Sequence, residues 1–104
     1  MGVILKKGVH VVSIGVIGCG HWGPNHIRIF NQLQNSKALV CADLDQARLE
    51  KIKSVFPQVR VTTNYKEILQ DPDIQAVCVA SPTNTHYQIS KEALQAGKHV
   101  FCEK

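Results

Sequence analysis

Long apolar runs and paired cysteines are both missing from this sequence of 104 residues. The longest uninterrupted apolar stretch, about Ile14 to Cys19, is far shorter than the roughly 20 residues that a membrane helix needs. The four cysteines form no CxxC pair, which argues against a zinc site. Three of them, Cys19, Cys41 and Cys78, lie in apolar segments, where a thiol behaves as a small hydrophobe. We therefore expect no metal, no membrane span, and reduced cysteines in a cytoplasmic protein.

Runs of like charge are missing as well. The 12 Lys and Arg residues against 8 Asp and Glu give a formal net charge of +4, and the densest basic spot is only Lys6-Lys7. This mild balance gives no support to nucleic-acid binding. With 44% hydrophobic and 19% charged residues the composition is that of an ordinary globular protein, and the length allows one compact domain.

Short apolar runs alternate with amphipathic stretches along the chain. Strands are expected at 11–17, 38–42, 59–62, 76–80 and 99–102, and a helix is expected after each of the first four. This alternation predicts the α/β class, as a Rossmann-type doubly wound parallel sheet of five strands in the order 3-2-1-4-5. Residues 11–104 would form a dinucleotide-binding domain, preceded at 1–10 by a tail or an extra edge strand.

The predicted helices carry start and stop signals. Pro24 suits the first turn of the first helix, Asp45 is a natural N-cap for the second, and Asn64 with Glu67 resembles a capping box at the third. Gly97 is expected to end the fourth helix. The side chains expected to face inward are Ile27, Phe30 and Leu33 in the first helix, Leu49, Ile52 and Phe56 in the second, and Ile89, Ala93 and Leu94 in the fourth.

A GxGxxG pattern lies between the first strand and the first helix. Gly18 allows the sharp turn, Gly20 lacks a side chain that would block a pyrophosphate, and Gly23 lets helix and strand pack closely. Glycines serve any tight turn, so the pattern alone is a weak signal. Its position before a helix N-terminus, whose N–H groups and dipole attract phosphates, is what predicts a dinucleotide site.

An acidic residue follows the second predicted strand. Asp43 comes 20 residues after Gly23, the spacing at which a carboxylate accepts hydrogen bonds from the adenosine ribose. A carboxylate there would repel a 2′-phosphate, and the following Leu44 is no phosphate ligand, so NAD is predicted in preference to NADP. The alternative, that Asp43 caps the next helix, is less favoured because Asp45 is better placed.

Two further segments are expected near the glycine turn. Ligands of doubly wound sheets bind beyond the carboxyl ends of the strands, near the switch point between the first and fourth strands. The loop from Ser81 to His86 follows the fourth strand, and Glu103-Lys104 follows the fifth. We therefore expect three strand ends to converge on one crevice.

Three segments in this order resemble the N-terminal half of the Gfo/Idh/MocA oxidoreductases, namely Val16 to Gly23, Ala80 to His86 and Ala96 to Lys104. These are nicotinamide-dependent dehydrogenases of sugars, inositols and sugar derivatives, and the resemblance covers about residues 11–104. The stretch from Trp22 to Arg28 looks most like the branch that acts on nucleotide-linked amino sugars.

The resemblance implies roles for individual residues. Lys104 would lie beside the nicotinamide as the catalytic residue, where its ammonium would stabilise a developing alkoxide or tune proton transfer. The implied cofactor-binding residues are Gly18, Gly20, His21, Trp22, Gly23, Asp43, Ser81, Pro82, Asn84, His86 and Glu103.

The sequence departs from the family pattern after Lys104, where the family's proline and its substrate domain would follow. That domain carries the family's histidine and aspartate for acid-base work. The favoured function is therefore that of an NAD-binding domain of an oxidoreductase, which exchanges hydride with a hydroxyl of a sugar, polyol or sugar nucleotide. Alone, it would bind cofactor without turnover.

Two other functions stay open at this point. The first is a non-catalytic nucleotide-binding module or an orphan fragment. The second is a methyltransferase of similar topology, which would not explain Pro82 to His86 or Glu103-Lys104. The expected partners are a dinucleotide and a substrate domain or partner chain that completes the site. Self-association through the edge of the fifth strand is also expected, because an unpaired edge recruits strands.

Overall fold

The computed structural model describes residues 11–20 and 22–102. The expected tail or edge strand at 1–10 lies outside the described residues, as do His21, Glu103 and Lys104. The elements in chain order are β1 (Val12–Ile17), α1 (Gly23–Gln32), β2 (Ser36–Ala42), α2 (Gln46–Val55), β3 (Arg60–Thr62), α3 (Lys66–Gln70), β4 (Ala76–Val79), a short 3₁₀ turn (Thr83–Thr85), α4 (His86–Gln95) and β5 (His99–Cys102).

All five strands are parallel and lie in the order β3-β2-β1-β4-β5, which confirms the predicted fold. The central strand β1 pairs with β2 on one side and β4 on the other. Its side chains alternate between two cores, since Val16 packs with the residues under α1 and α2 while Ile17 packs with those under α3 and α4. Both faces of the sheet are thus covered, as parallel sheets require.

The helix faces agree with prediction except at two leucines. Ile27, Ile52 and Ile89 are buried as expected. Leu94 is 62% exposed, because five residues at about 100° each carry it away from the face of Ile89. Leu33 is 54% exposed, because α1 ends before it and Leu33 is only its C-cap.

Three of the four predicted helix signals are confirmed and one is wrong, and Pro24 lies in the first turn of α1 as expected. The Asp45 side chain accepts hydrogen bonds from the N–H groups of Ala47 and Arg48 and so caps α2. Gly97 follows α4 with a φ of +83°, the left-handed conformation that glycine adopts without strain. The capping box is not formed, since the Glu67 carboxylate accepts from the Thr62 hydroxyl rather than from the Asn64 N–H. The N-cap of α3 is Tyr65.

Helices of the described residues are at most 10 residues long. None of them is long and apolar enough to cross a membrane.

A buried lysine holds together the loop between α3 and β4. Lys98 is only 8% exposed, and its Nζ donates to the carbonyl oxygens of Asp71 and Ile74 at 2.6 Å each. The same loop is held from β3, where Arg60 Nη2 lies 2.7 Å from an Asp71 carboxylate oxygen. These contacts lie at the amino end of β4, opposite the expected ligand site.

We expect Lys98→Met to destabilise the chain by about 2 kcal/mol or more, because the apolar stem is kept while two buried carbonyl groups lose their donor. Urea denaturation followed by circular dichroism measures the free energy of unfolding. Lys91→Met, at an exposed lysine of α4, is the control and should change it by less than about 0.5 kcal/mol. Equal effects of the two substitutions would contradict the proposed role of Lys98.

The Asp71 carboxylate predicts a loss of stability in acid. The Arg60 guanidinium, followed by the Asp73 N–H, lowers the pKa of Asp71 below its ordinary value of 3.8. A lowered folded-state pKa stabilises the fold above the unfolded pKa, and this contribution is lost as the pH falls. The free energy of unfolding should therefore fall between about pH 5 and pH 3, and less steeply in Arg60→Ala. An unchanged slope in that variant would rule out the ion pair as the cause.

Candidate functional site

The carboxyl ends of β1, β2 and β4 open into a pocket of about 360 Å³. Its walls come from the glycine turn after β1, the residues after β2 and the loop after β4. The pocket opens here because the neighbouring strands β1 and β4 are followed by helices on opposite faces of the sheet, α1 and α4, which is the place where doubly wound folds bind ligands. Two of the three strand ends expected from the sequence, those of β1 and β4, thus meet in one crevice, and β2 adds a third. The residues expected to contribute after β5 lie outside the described residues.

Gly18 joins the three strand ends. Its φ is +96°, and a Cβ on it would lie 2.5 Å from the Ser81 backbone nitrogen, so no other residue fits without moving β4. Its N–H donates to the carbonyl of Ala42 at 2.7 Å. The start of the turn is thereby fixed to the ends of both neighbouring strands.

The other two glycines of the turn serve different purposes. A Cβ on Gly23 would clash with the backbone carbonyl oxygen of Gly18, so Gly23 is needed for the turn to close. A Cβ on Gly20 would meet only the end of the Arg48 side chain, 3.0 Å from Nη1, and this flexible group can move away. The fold therefore does not require glycine at position 20, and the bare backbone there is available for a close-lying ligand.

Asp43 lies directly beside the glycine turn. One carboxylate oxygen accepts from the Cys19 N–H at 2.9 Å, and the other accepts from the Asp45 N–H at 2.8 Å. The Asp43 side chain is 9% exposed and lines the pocket. The oxygen that accepts from the Cys19 N–H also accepts from the Cys19 thiol at 3.5 Å. The oxygen that accepts from the Asp45 N–H has a second lone pair and can accept a further hydrogen bond. The carboxylate thus holds the turn and remains an acceptor on its pocket side.

Hydrogen bonds within the loop after β4 fix its shape. The hydroxyls of Ser81 and Thr85 lie 2.7 Å apart, and the Thr85 hydroxyl also donates to the Pro82 carbonyl at 2.6 Å. The His86 ring nitrogen Nε2 lies 2.7 Å from the Ser81 carbonyl oxygen. Ser81 and Pro82 line the pocket, whereas Asn84 and His86 are not among its lining residues.

Sequence reasoning missed several residues of the pocket wall. Tyr65 donates its hydroxyl hydrogen to the Glu92 carboxylate at 2.6 Å, and this bond raises the pKa of Tyr65 to about 12. The same bond lowers the pKa of Glu92. Leu44, also in the wall, is 90% exposed and offers a solvated apolar surface. Tyr65 and its partner are 27 residues apart in sequence, so no local pattern could have paired them.

The thiol of Cys41 is hydrogen-bonded to that of Cys19 near the glycine turn. Cys19, Cys41 and Cys78 are buried thiols, while Cys102 is exposed. A hydrogen bond with Cys19, together with burial, raises the pKa of the Cys41 thiol far above its ordinary value. Within residues 11–20 and 22–102 there is no group of three or more His, Cys, Asp or Glu side chains that could hold a metal ion.

The structure brings the predicted site residues together in part. Gly18, Asp43, Ser81 and Pro82 line one pocket, and Gly20 lies next to it beneath Arg48. Trp22 is the N-cap of α1 and is 51% exposed. The roles expected of His21, Glu103 and Lys104 concern positions outside the described residues.

This chain is similar to known oxidoreductases over most of its length. A family model for an oxidoreductase family with an NAD-binding Rossmann fold, GFO_IDH_MocA, matches residues 12–104. An uncharacterised oxidoreductase of Bacillus subtilis, YrbE, is 36% identical over 93 residues, which are 89% of this chain and 27% of that protein. Myo-inositol 2-dehydrogenase of Thermotoga maritima is 34% identical over 93 residues, 89% of this chain and 28% of that protein.

Solved structures give the same result. Scyllo-inositol dehydrogenase from Lactobacillus casei, crystallised with NAD(H) and scyllo-inositol, superposes with a TM-score of 0.83 at 33% identity. The match covers 90% of this chain and 28% of that one. The present chain thus spans little more than a quarter of the length of these proteins.

The glycines provide a matched pair of substitutions. Gly23→Ala should destabilise the chain by about 3 kcal/mol, because the clash is with backbone. Gly20→Ala should leave the free energy of unfolding within about 1 kcal/mol and still weaken dinucleotide binding about tenfold or more, because its methyl group occupies the space left for the ligand. Thermal unfolding and NADH titration measure the two effects. Tight NADH binding by Gly20→Ala would show that the ligand does not approach position 20.

Proposed function

This chain belongs to the Gfo/Idh/MocA oxidoreductase family as an NAD-binding Rossmann domain, and from that premise we propose that it holds NAD(H) in preference to NADP(H) for hydride exchange with a polyol or sugar hydroxyl. The observation that carries the proposal is the pocket at the carboxyl ends of three parallel strands, which is lined by Gly18 and the acidic acceptor Asp43, with the bare backbone at Gly20 beside it. A dinucleotide requires both features, a close approach for its phosphates and an acceptor for its ribose.

The glycine turn and the start of α1 would bind the pyrophosphate. The first turn of α1 carries no acidic residue, and Trp22 caps it without a side-chain hydrogen bond. Its N–H groups and the positive end of the helix dipole are therefore not neutralised by a carboxylate of that turn. These properties suit the negative charge of a pyrophosphate.

Asp43 would accept from the adenosine ribose with the lone pair that its bonds to Cys19 and Asp45 leave available on Oδ1. The same carboxylate is only 9% exposed, so water would screen little of its repulsion of a 2′-phosphate. This charge is the basis for the proposed preference for NAD. Leu44 and Tyr65, in the wall beyond Asp43, offer apolar and aromatic surface for the adenine.

The remaining site residues keep the roles that the resemblance implies. Asn84, His86 and Glu103 would contact the cofactor, and the Lys104 ammonium would stabilise the alkoxide that develops on the substrate hydroxyl. The nicotinamide, when bound, supplies the hydride acceptor. We propose that the substrate contacts and the proton acceptor come from a substrate domain or a partner chain.

The inositol dehydrogenases among the similar proteins favour a polyol over a nucleotide-linked amino sugar as substrate. A non-catalytic nucleotide-binding module would use the same pocket without the hydride step, and remains the second candidate. A methyltransferase is disfavoured by the family match.

The cytoplasmic location stays a prediction. So does self-association through β5, which lies at an edge of the sheet.

Titration of the single tryptophan tests the proposal. Trp22 lies at the start of α1, and reduced nicotinamide absorbs light where tryptophan emits, so bound NADH should quench its fluorescence. We expect saturable quenching with a lower Kd for NADH than for NADPH. In Asp43→Asn the Kd for NADH should rise about tenfold, because the ribose loses a charged acceptor. The Kd for NADPH should change less, because the substitution also removes the repulsion of the 2′-phosphate.

Asp73→Asn is the control for the loss of one carboxylate, since Asp73 lies at the amino end of β4 and away from the pocket. It should bind both cofactors like the unaltered chain. Absence of saturable quenching in a chain that circular dichroism shows to be folded would overturn the proposed function.

A further inference from the structure

The two oxygens of the Asp43 carboxylate have different partners. Oδ2 accepts from the Cys19 N–H at 2.9 Å and from the Cys19 thiol at 3.5 Å, a longer distance because sulfur is a large atom. Oδ1 accepts from the Asp45 N–H at 2.8 Å. Each oxygen has two lone pairs, so those of Oδ2 are both used within the protein. One lone pair of Oδ1 is left for a ligand.

A second thiol lies behind that of Cys19. Cys41 of β2 is fully buried, and its thiol is hydrogen-bonded to that of Cys19. A thiol has a single hydrogen, and that of Cys19 goes to the carboxylate, so the Cys19 sulfur accepts the hydrogen of Cys41. The bond to Cys19 and then burial raise the pKa of the Cys41 thiol, which keeps this donor protonated. Hydrogen bonds thus run from Cys41 through Cys19 to Oδ2.

Burial increases the importance of the Cys19 thiol, which is a weak donor. Cys19 is 3% exposed and packs in the core under α1 and α2, and the Asp43 side chain is 9% exposed. Little water is available there to replace a lost donor. A hydrogen bond is stronger in such surroundings, and an acceptor that loses its donor is more costly.

We propose that Cys19 is a positioning residue, which turns the Asp43 carboxylate so that Oδ1 alone receives the adenosine ribose. This inference rests on the proposed function, because it takes the ribose to lie at Asp43. One open lone pair accepts one hydrogen, so a single ribose hydroxyl should provide most of the binding at this carboxylate. The residue between Gly18 and Gly20 therefore acts through its side chain, at a position that the glycine pattern leaves open.

Isothermal titration calorimetry on the 104-residue chain tests the number of hydroxyls. The probes are NADH and two analogues whose adenosine ribose lacks either the 2′- or the 3′-hydroxyl. We expect one analogue to bind about tenfold more weakly than NADH and the other less than about threefold more weakly, because only one bond to the charged acceptor is lost. Equal weakening of the two analogues would overturn the inference, while the proposed function stands. This comparison needs no substitution, so it holds even if a variant fails to fold.

Cys19→Ala tests the thiol itself. The Kd for NADH should rise about fivefold, and the two analogues should differ less than about threefold, because the carboxylate can turn. Cys19→Ser supplies a hydroxyl donor and should restore both values to within about twofold of the unaltered chain. A role in packing alone predicts no such rescue, since a buried serine is less favourable than a buried alanine. Absence of rescue in a folded Cys19→Ser chain would contradict the inference.

Cys78→Ala is the matched control. It removes a buried thiol of the same core, from β4, and leaves Cys19 and Asp43 in place. It should change the Kd for NADH less than about twofold, whatever loss of stability thermal unfolding records. If Cys78→Ala weakens NADH binding as much as Cys19→Ala, loss of core packing explains the effect and the inference fails. Failure of the unaltered chain to bind NADH would overturn the inference and the proposed function together.

Discussion

The close contact between the ends of β1 and β4 is the constraint on which the site depends. Gly18 touches the backbone at Ser81 so closely that no side chain fits between them. Because Gly23 in turn packs against the Gly18 carbonyl, the approach of two strands also determines where α1 begins. The N–H of Gly18 adds the end of β2 through Ala42. The pocket is thus a product of sheet packing rather than of loop conformation.

Asp43 joins this constraint to ligand recognition. A carboxylate that only bound a ribose would be free to rotate before the ligand arrives. The Asp43 carboxylate is instead held by the N–H groups of Cys19 and Asp45. Fixing the side chain lowers the entropy that a ligand would have to remove on binding. The cost is that any change of residue at this position disturbs the glycine turn as well. Substitution by asparagine, which keeps the shape and an acceptor oxygen, separates the two roles best.

Local sequence patterns sufficed for the strands and the glycine turn, because burial on both faces and the demand for positive φ at Gly18 are local properties. They failed where a contact is set by tertiary structure. Leu94 is a different case, because its apolar character suggested the core although the helical period itself places it away from the face of Ile89. Thr62 displaced the capping box expected at Asn64, since β3 brings its hydroxyl to Glu67. The position of Arg48 over Gly20 depends on how α2 packs beside the turn, which spacing along the chain does not encode.

The buried ammonium of Lys98 gives the two ends of the sheet different tolerance to evolutionary change. At the amino ends of the strands, the carbonyl oxygens of Asp71 and Ile74 are bound to one side chain, that of Lys98 just before β5. An insertion there would leave the Lys98 ammonium in the interior without its partners. At the carboxyl ends Leu44 and Pro82 are exposed and can vary at little cost to the fold. New ligand preferences can therefore accumulate at one end of this domain while the other end preserves the framework.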